Sequence, residues 1–168
     1  LYYIGHENET GKITTQYDLR DGFIKTAAAE TFLAWHYYKK KNSSRGNLDE
    51  KLKQGEIPSE FFRSMFYTYG DYRDIFFDTD ISAKTPDGHV KGAIDCIGKF
   101  FSNNGGKSGS GLKREDWWKE HKEAIWKGML CALEKASGAK KETLTDKYKY
   151  ESVTFDSDKN NTLSKFAE

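Results

Sequence analysis

The sequence predicts an all-α fold, an antiparallel bundle of about four helices joined by long loops. Three observations predict it. Apolar residues recur at three- and four-residue steps over four long stretches, which is the period of one helix face. Pro is nearly absent, with 2 in 168 residues, and charged residues make up 32% of the chain, a composition suited to solvated helices more than to strands and turns. Aromatic residues reach 15% while hydrophobic residues in total are only 36%, so the core rests on Phe, Tyr and Trp, which each bury a large area. The length fits one domain with a sizeable core.

Residues 1–17 are polar and Tyr/Thr-rich without a clear period, and read as an N-terminal arm or loop. From Asp18 the pattern turns helical, with Phe23, Ala27, Thr31, Ala34 and Tyr38 on one stripe, widened by Ile24, Ala28 and Trp35. Asp18 or Asp21 is placed to cap this helix, and Lys39, Lys40 and Lys41 suit its negative C-terminal end. An Asn/Ser/Gly loop and a short charged segment, Leu48 to Gln54, follow. Pro58 opens the second helix from its first turn. Its apolar arc holds Phe61, Phe62, Met65, Phe66, Tyr69, Tyr72, Ile75, Phe76 and Phe77, and the helix should end between Asp78 and Ile81. Thr85-Pro86-Asp87-Gly88 reads as a turn. Val90, Ala93, Ile94, Ile97, Phe100 and Phe101 form a third, narrower stripe, ended by the Ser102 to Gly111 tract. The fourth helix, Lys113 to Ser137, is apolar on two faces, Trp118/Ile125/Met129/Leu133 and Trp117/Ala124/Gly128/Cys131, as a central helix would be. These helices make residues 18–137 the bundle and 138–168 a polar tail, with one strand-like stretch from Tyr150 to Phe155.

The net charge of +1 excludes a globally basic nucleic-acid binder. No apolar run approaches the roughly 18 residues of a membrane span. No secretory signal opens the chain, and Leu1-Tyr2-Tyr3 reads as a cut into a longer protein. Enzyme chemistry has little to stand on. Gly105-Gly106-Lys107-Ser108 lacks the first glycine and the preceding strand of a phosphate loop. Asp78-Thr79-Asp80 lacks the spacing of a calcium loop and reads as a helix C-cap or loop. His6, His36, His89 and His121 are dispersed, and each reads as a surface or boundary histidine; no metal or cofactor is expected.

Two polar features carry more information. Arg73 falls within the aromatic arc of the second helix, and Glu30 lies beside the main stripe of the first. A buried charge needs a partner, so Arg73 is expected to bond a carboxylate of another helix, Glu30 or Asp116. Surface charge is also patterned. Lys39, Lys40, Lys41, Arg45, Lys51 and Lys53 face only Asp49 and Glu50 over that stretch, whereas Asp71 to Asp80 holds four Asp against Arg73. The first cluster is either a solvated surface or a cationic patch that meets a sulfated glycan or an acidic protein. Asn8, Asn42 and Asn160 begin N-x-S/T sequons in expected loops. Cys96 and Cys131 are too few for a disulfide framework or a zinc site; composition places two reduced core thiols ahead of one bridge.

Long sequence blocks go further. Phe23-Ile24-Lys25-Thr26-Ala27-Ala28-Ala29-Glu30-Thr31-Phe32-Leu33-Ala34-Trp35 resembles the first helix of the middle subdomain of Duffy-binding-like domains. Ile57-Pro58-Ser59-Glu60-Phe61 with Arg63 to Ile75, then Asp78 to Ser82, continues the resemblance. Trp117-Trp118-Lys119 through Ile125 to Leu133 completes it. The blocks are similar to those of the erythrocyte membrane protein 1 adhesins of the malaria parasite Plasmodium falciparum, over nearly the whole chain, and most like the epsilon and zeta types, with beta next.

The resemblance implies a cytoadhesion domain on the extracellular face of the infected erythrocyte, held there through the rest of a larger membrane protein. The implied partner is a host receptor, immunoglobulin M Fc foremost. Intercellular adhesion molecule 1 or a sulfated glycan such as chondroitin sulfate is the alternative, with a non-binding structural fragment as a further one. It implies the middle of three subdomains, with the third following residue 168. It also places a cysteine where this chain has Phe76, a cysteine that pairs with the one matching Cys131. With Cys96 on the third helix, the resemblance implies a relocated Cys96–Cys131 bridge.

Overall fold

The computed structural model describes residues 1–79, 88–105, 111–154 and 161–167. Its helices are α1 (Tyr2–Gly5), α2 (Glu7–Thr10), α3 (Gln16–Lys41), α4 (Leu48–Lys53), α5 (Ser59–Phe77), α6 (His89–Gly105), α7 (Arg114–Ser137) and α8 (Leu163–Phe166), with a 3-10 turn at Ser43–Arg45. The fold is all-α. Among the described residues the extended structure amounts to one isolated antiparallel bridge, Thr154 with Thr162. The turn at 85–87, Asp80, residues 106–108 of the Gly-rich segment, Phe155 and the Asn160 sequon lie outside the described residues. The chain divides into two compact units, Leu1–Thr26 with Asp71–Ile125 and Ala27–Gly70 with Trp126–Glu168. Helices α3, α5 and α7 contribute residues to both.

Helix α3 starts two residues before Asp18, because the cap is Thr15. Thr15 Oγ1 accepts the Asp18 N–H at 3.1 Å, and Asp18 Oδ2 accepts the Thr15 and Thr14 N–H groups at 2.8 and 3.1 Å. This reciprocal box satisfies donors that helix geometry leaves open. Asp21 instead pairs with Arg20. Helix α5 ends where expected, at Asp78, which takes a left-handed φ of 57° while the Thr79 N–H returns to the Asp74 carbonyl at 2.8 Å. That bond closes the last turn.

The first unit is organised around Phe76. Its ring stacks on Trp117 at 4.8 Å and meets Phe23, Phe101 and Trp118 at 5.9, 5.5 and 5.3 Å. One side chain of α5 thereby touches α3, α6 and α7. Trp117 donates its Nε1–H to the Gln16 carbonyl at 3.2 Å, and Arg114 donates to the Phe76 carbonyl while lying over the Phe101 ring. The residues expected as a loose arm are folded. Ile4 is fully buried, and α1 packs on α6 through Gly5 and Gly92. A Cβ on either glycine would run into main chain, at the His89 carbonyl or the Gly5 carbonyl, so only hydrogen fits there.

The second unit has Trp126 at its centre, with Phe62, Phe66 and Tyr69 at 6.2, 5.7 and 5.9 Å and its Nε1–H on the Tyr148 carbonyl at 2.7 Å. The expected polar tail is built into this core through Leu144, Tyr150, Val153 and Leu163, all buried. Polar bonds lock it. Tyr148 Oη accepts the Ile57 N–H at 3.2 Å, and Lys147 Nζ donates to the Gly55 carbonyl at 2.6 Å. Buried Glu134 accepts the Leu144 and Thr145 N–H groups at 2.9 and 3.3 Å. The tail's periodicity hides this role because Leu144 and Tyr150 sit in turns and Leu163 on a helix of only four residues.

Three outcomes follow from these contacts. Thr15→Ala should cost about 1 kcal/mol in urea denaturation. Backbone N–H bonds from Thr15 and Thr14 lower the Asp18 pKa from 3.8 to about 2. Its contribution is therefore complete above the unfolded value and is lost as pH falls through about 2. Asp18→Asn should flatten that acid limb of the stability curve. Gly92→Ala should destabilise by roughly 1–3 kcal/mol through overpacking, with amide exchange accelerated first in residues 2–10.

Candidate receptor-binding surface

The cationic cluster lies wholly in the second unit, and half of it is engaged. Lys39 pairs with Asp49 at 3.0 Å, Arg45 with Glu60 at 3.2 Å and Lys53 with Glu50 at 3.1 Å. Lys40, Lys41 and Lys51 are exposed. Glu60 comes from the start of α5 and was outside the sequence count, so the patch is less cationic than the stretch from Lys39 to Lys53 suggests. Asp49 has a second duty: its Oδ1 accepts the indole N–H of Trp35 at 2.9 Å, and Trp35 is fully buried. Burial raises the Asp49 pKa, but the bonds from Trp35 and Lys39 outweigh it and hold the carboxylate below its ordinary value.

The other residues singled out from the sequence take varied positions. Arg73 keeps 26% side-chain exposure, with Asp74 of its own helix at 3.4 Å and the Phe77 ring beneath its guanidinium. Asp116 is exposed at the start of α7 and Glu30 is half-buried. Cys96 and Cys131 are free thiols, the first buried and the second exposed. No bridge joins them in this structure, and the Phe76 ring stands where the resemblance implies a cysteine. Burial pushes both thiols above their ordinary pKa, aided at Cys131 by Glu134, so neither is an activated nucleophile. His121 is buried against Trp117 at 4.7 Å and not at a boundary; burial lowers its pKa. His6 and His89, far apart in sequence, meet with ring centroids 5.5 Å apart. Asn8 lies within α2, and the Asn42 amide donates to the Tyr38 carbonyl at 2.9 Å. Among the described residues no cluster could hold a metal ion, and no helix is long and apolar enough to cross a membrane.

The sequence reading missed an apolar surface. Phe32, Leu33 and Tyr37 of α3 are 39%, 66% and 69% exposed, on the side away from the buried Ala27, Thr31 and Trp35. The available signal was that α3 carries apolar residues on every side. Beside them a cavity of about 210 Å³ is lined by Glu30, Thr31, Ala34, Phe61, Met65 and Met129, with Ser64 and Thr68 completing it. The first unit holds a larger cavity of about 650 Å³, walled by Glu7, Ile13, Asp95, Cys96, Lys99 and Phe100 among others. Its acids and base are mixed, and no sequence-derived site residue except Cys96 lies in it.

Asp49→Ala should cost about 1–3 kcal/mol, because it leaves the buried Trp35 N–H without an acceptor. Asp49→Asn keeps an amide oxygen there and should cost less. Thermal denaturation of the two variants side by side checks the ordering.

No curated protein and no solved structure matches the chain. A family model, the Duffy binding domain, matches residues 1–165. Such domains are receptor-binding adhesion modules of extracellular surfaces and not enzymes. The match takes in residues of both units and every helix, α8 up to Lys165, and the chain belongs to the Duffy binding domain family.

Proposed function

We propose that this chain is the middle part of a cytoadhesion domain of an erythrocyte membrane protein 1 adhesin, displayed on infected red cells, and that it binds a host receptor protein. The observation that carries the reading is the family match over residues 1–165, and the sequence blocks around Phe23 to Trp35 and Ile57 to Ile75 support the finer assignment. Immunoglobulin M Fc is the first candidate receptor and intercellular adhesion molecule 1 the second. The exposed apolar side chains of α3 favour a protein partner, since a heavily sulfated glycan offers little apolar area to cover them.

A glycan reading retains one specific support, the three exposed lysines Lys40, Lys41 and Lys51. It is weakened by the carboxylates that engage Lys39, Arg45 and Lys53. Surface ion pairs of this kind contribute little stability, about 0–1 kcal/mol, but they do cancel local positive charge.

The chain should bind immobilised immunoglobulin M Fc or intercellular adhesion molecule 1 saturably, with affinity changing only modestly as salt rises. Binding to chondroitin sulfate alone, collapsing steeply with salt, would replace the protein reading with the glycan one. Silence across the panel would leave a structural module.

A further inference from the structure

We propose that the outward face of α3 over residues 29–41 is a protein-docking surface, and that its partner presents an apolar ridge bordered by carboxylates. This deepens the host-receptor reading and rests on it. Three features of the second unit converge on that face. The first is the apolar strip. Phe32, Leu33 and Tyr37 stand exposed on one side of α3, with the exposed His36 between them and its ring 4.6 Å from that of Phe32. Single exposed hydrophobic side chains need no explanation, but adjoining ones on the solvent side of a helix mark contact surfaces. The other exposed large apolar residues of the described chain, such as Tyr17 and Tyr67, lie on other elements or other turns.

The second feature is charge. The strip runs into Lys40 and Lys41, both exposed, one turn beyond Tyr37. Lys39 and Arg45 nearby are held by Asp49 and Glu60, whereas no described carboxylate lies within ion-pair distance of Lys40 or Lys41. The C-terminal dipole of α3 accounts for cations at that end. It does not account for apolar side chains facing water in the turn before them. A partner matched to this face therefore carries acid where it meets Lys40 and Lys41, and apolar surface where it meets Leu33 and Tyr37.

The third feature is the cavity of about 210 Å³. Glu30, Ala34 and Tyr37 follow at i, i+4 and i+7, so the cavity mouth adjoins the strip. Thr31 in its wall is 3% exposed, and its Oγ1 is buried without a hydrogen-bond partner. A buried hydroxyl normally has one. Phe61, Met65 and Met129 supply an apolar floor. A single inserted side chain with an apolar stem and a hydrogen-bonding end satisfies both, and makes the cavity an anchor point within the wider contact.

The probe is a pair of short helical peptides, each with a leucine stripe, flanked in one by glutamate and in the other by lysine. Both are titrated into the full chain and followed by amide NMR. The glutamate peptide should bind, with shifts centred on Phe32, Leu33, Tyr37 and Lys40. The double variant Leu33→Ala/Tyr37→Ala should weaken it about tenfold or more with an unchanged circular dichroism spectrum, and Lys40→Glu/Lys41→Glu should reverse the preference between peptides. Equal binding of both peptides, shifts elsewhere, or an unaffected Leu33→Ala/Tyr37→Ala variant would overturn the proposal. So would self-association that this variant abolishes in sedimentation, since the occupant would then be a second copy. A receptor found in the panel should be lost by the same variant. Its retention overturns the docking surface and spares the receptor reading. An empty panel with the peptide footprint intact counts against the receptor reading alone.

Discussion

The packing of Phe76 is the constraint on which the first unit depends. Its ring meets Phe23, Phe77, Phe101, Trp117 and Trp118 at centroid distances from 4.8 to 5.9 Å, which places one residue of α5 against α3, α6 and α7 at once. Aromatic pairs contribute about 0.5–1.5 kcal/mol each beyond burial, and a disulfide typically about 2–4 kcal/mol. Several pairs at one ring are thus comparable with the covalent link that the family resemblance places here. The two free thiols are the counterpart of that exchange: Cys96 is a small buried core residue, and Cys131 lies on a face where nothing is joined to it.

The second unit is fastened differently. Its aromatic centre at Trp126 is tied off by polar bonds from turns: Tyr148 and Lys147 to Gly55 and Ile57, Glu134 to Leu144 and Thr145, Asp49 to Trp35 and Lys39. Asp49 illustrates the economy of such groups, since one carboxylate satisfies a buried indole and also draws in a lysine. The same bond removes Lys39 from the cationic surface, so core requirements reach outward and decide which charges a partner meets.

The four long helices and the buried aromatic arc of α5 were legible because each is set by local periodicity, which one sequence displays in full. All of that arc is buried except Phe77. The Thr15 cap was also written in the sequence, as a threonine three residues before an aspartate, but was overlooked beside the more conspicuous Asp18 and Asp21. Other features depend on residues distant in the chain. Nothing local to 1–17 reveals that Ile4 has a slot beside Gly22 or that Gly5 meets Gly92. The segment around Lys147 does not announce Gly55, and Glu60 neutralises Arg45 from another helix. The apolar strip of α3 was visible only as a surplus, because a helix wheel ranks faces by hydrophobicity and cannot say which of two is covered.

The interleaving of the units has a consequence for synthesis. The first unit takes residues 1–26 and 71–125, the second 27–70 and 126–168, so neither is a continuous length of chain. On the ribosome α1 waits for α6, and Phe23 waits for Phe76 and then Trp117. Phe62 and Phe66 have to wait longer, for Trp126 and then for Tyr148. Contacts of such separation are slow to form, and uncovered aromatic faces are prone to aggregate meanwhile. The residues from 126 onward therefore act as a closing clasp, and a nascent chain halted before them presents the aromatic face of α5 to whatever chaperone or neighbouring chain is at hand.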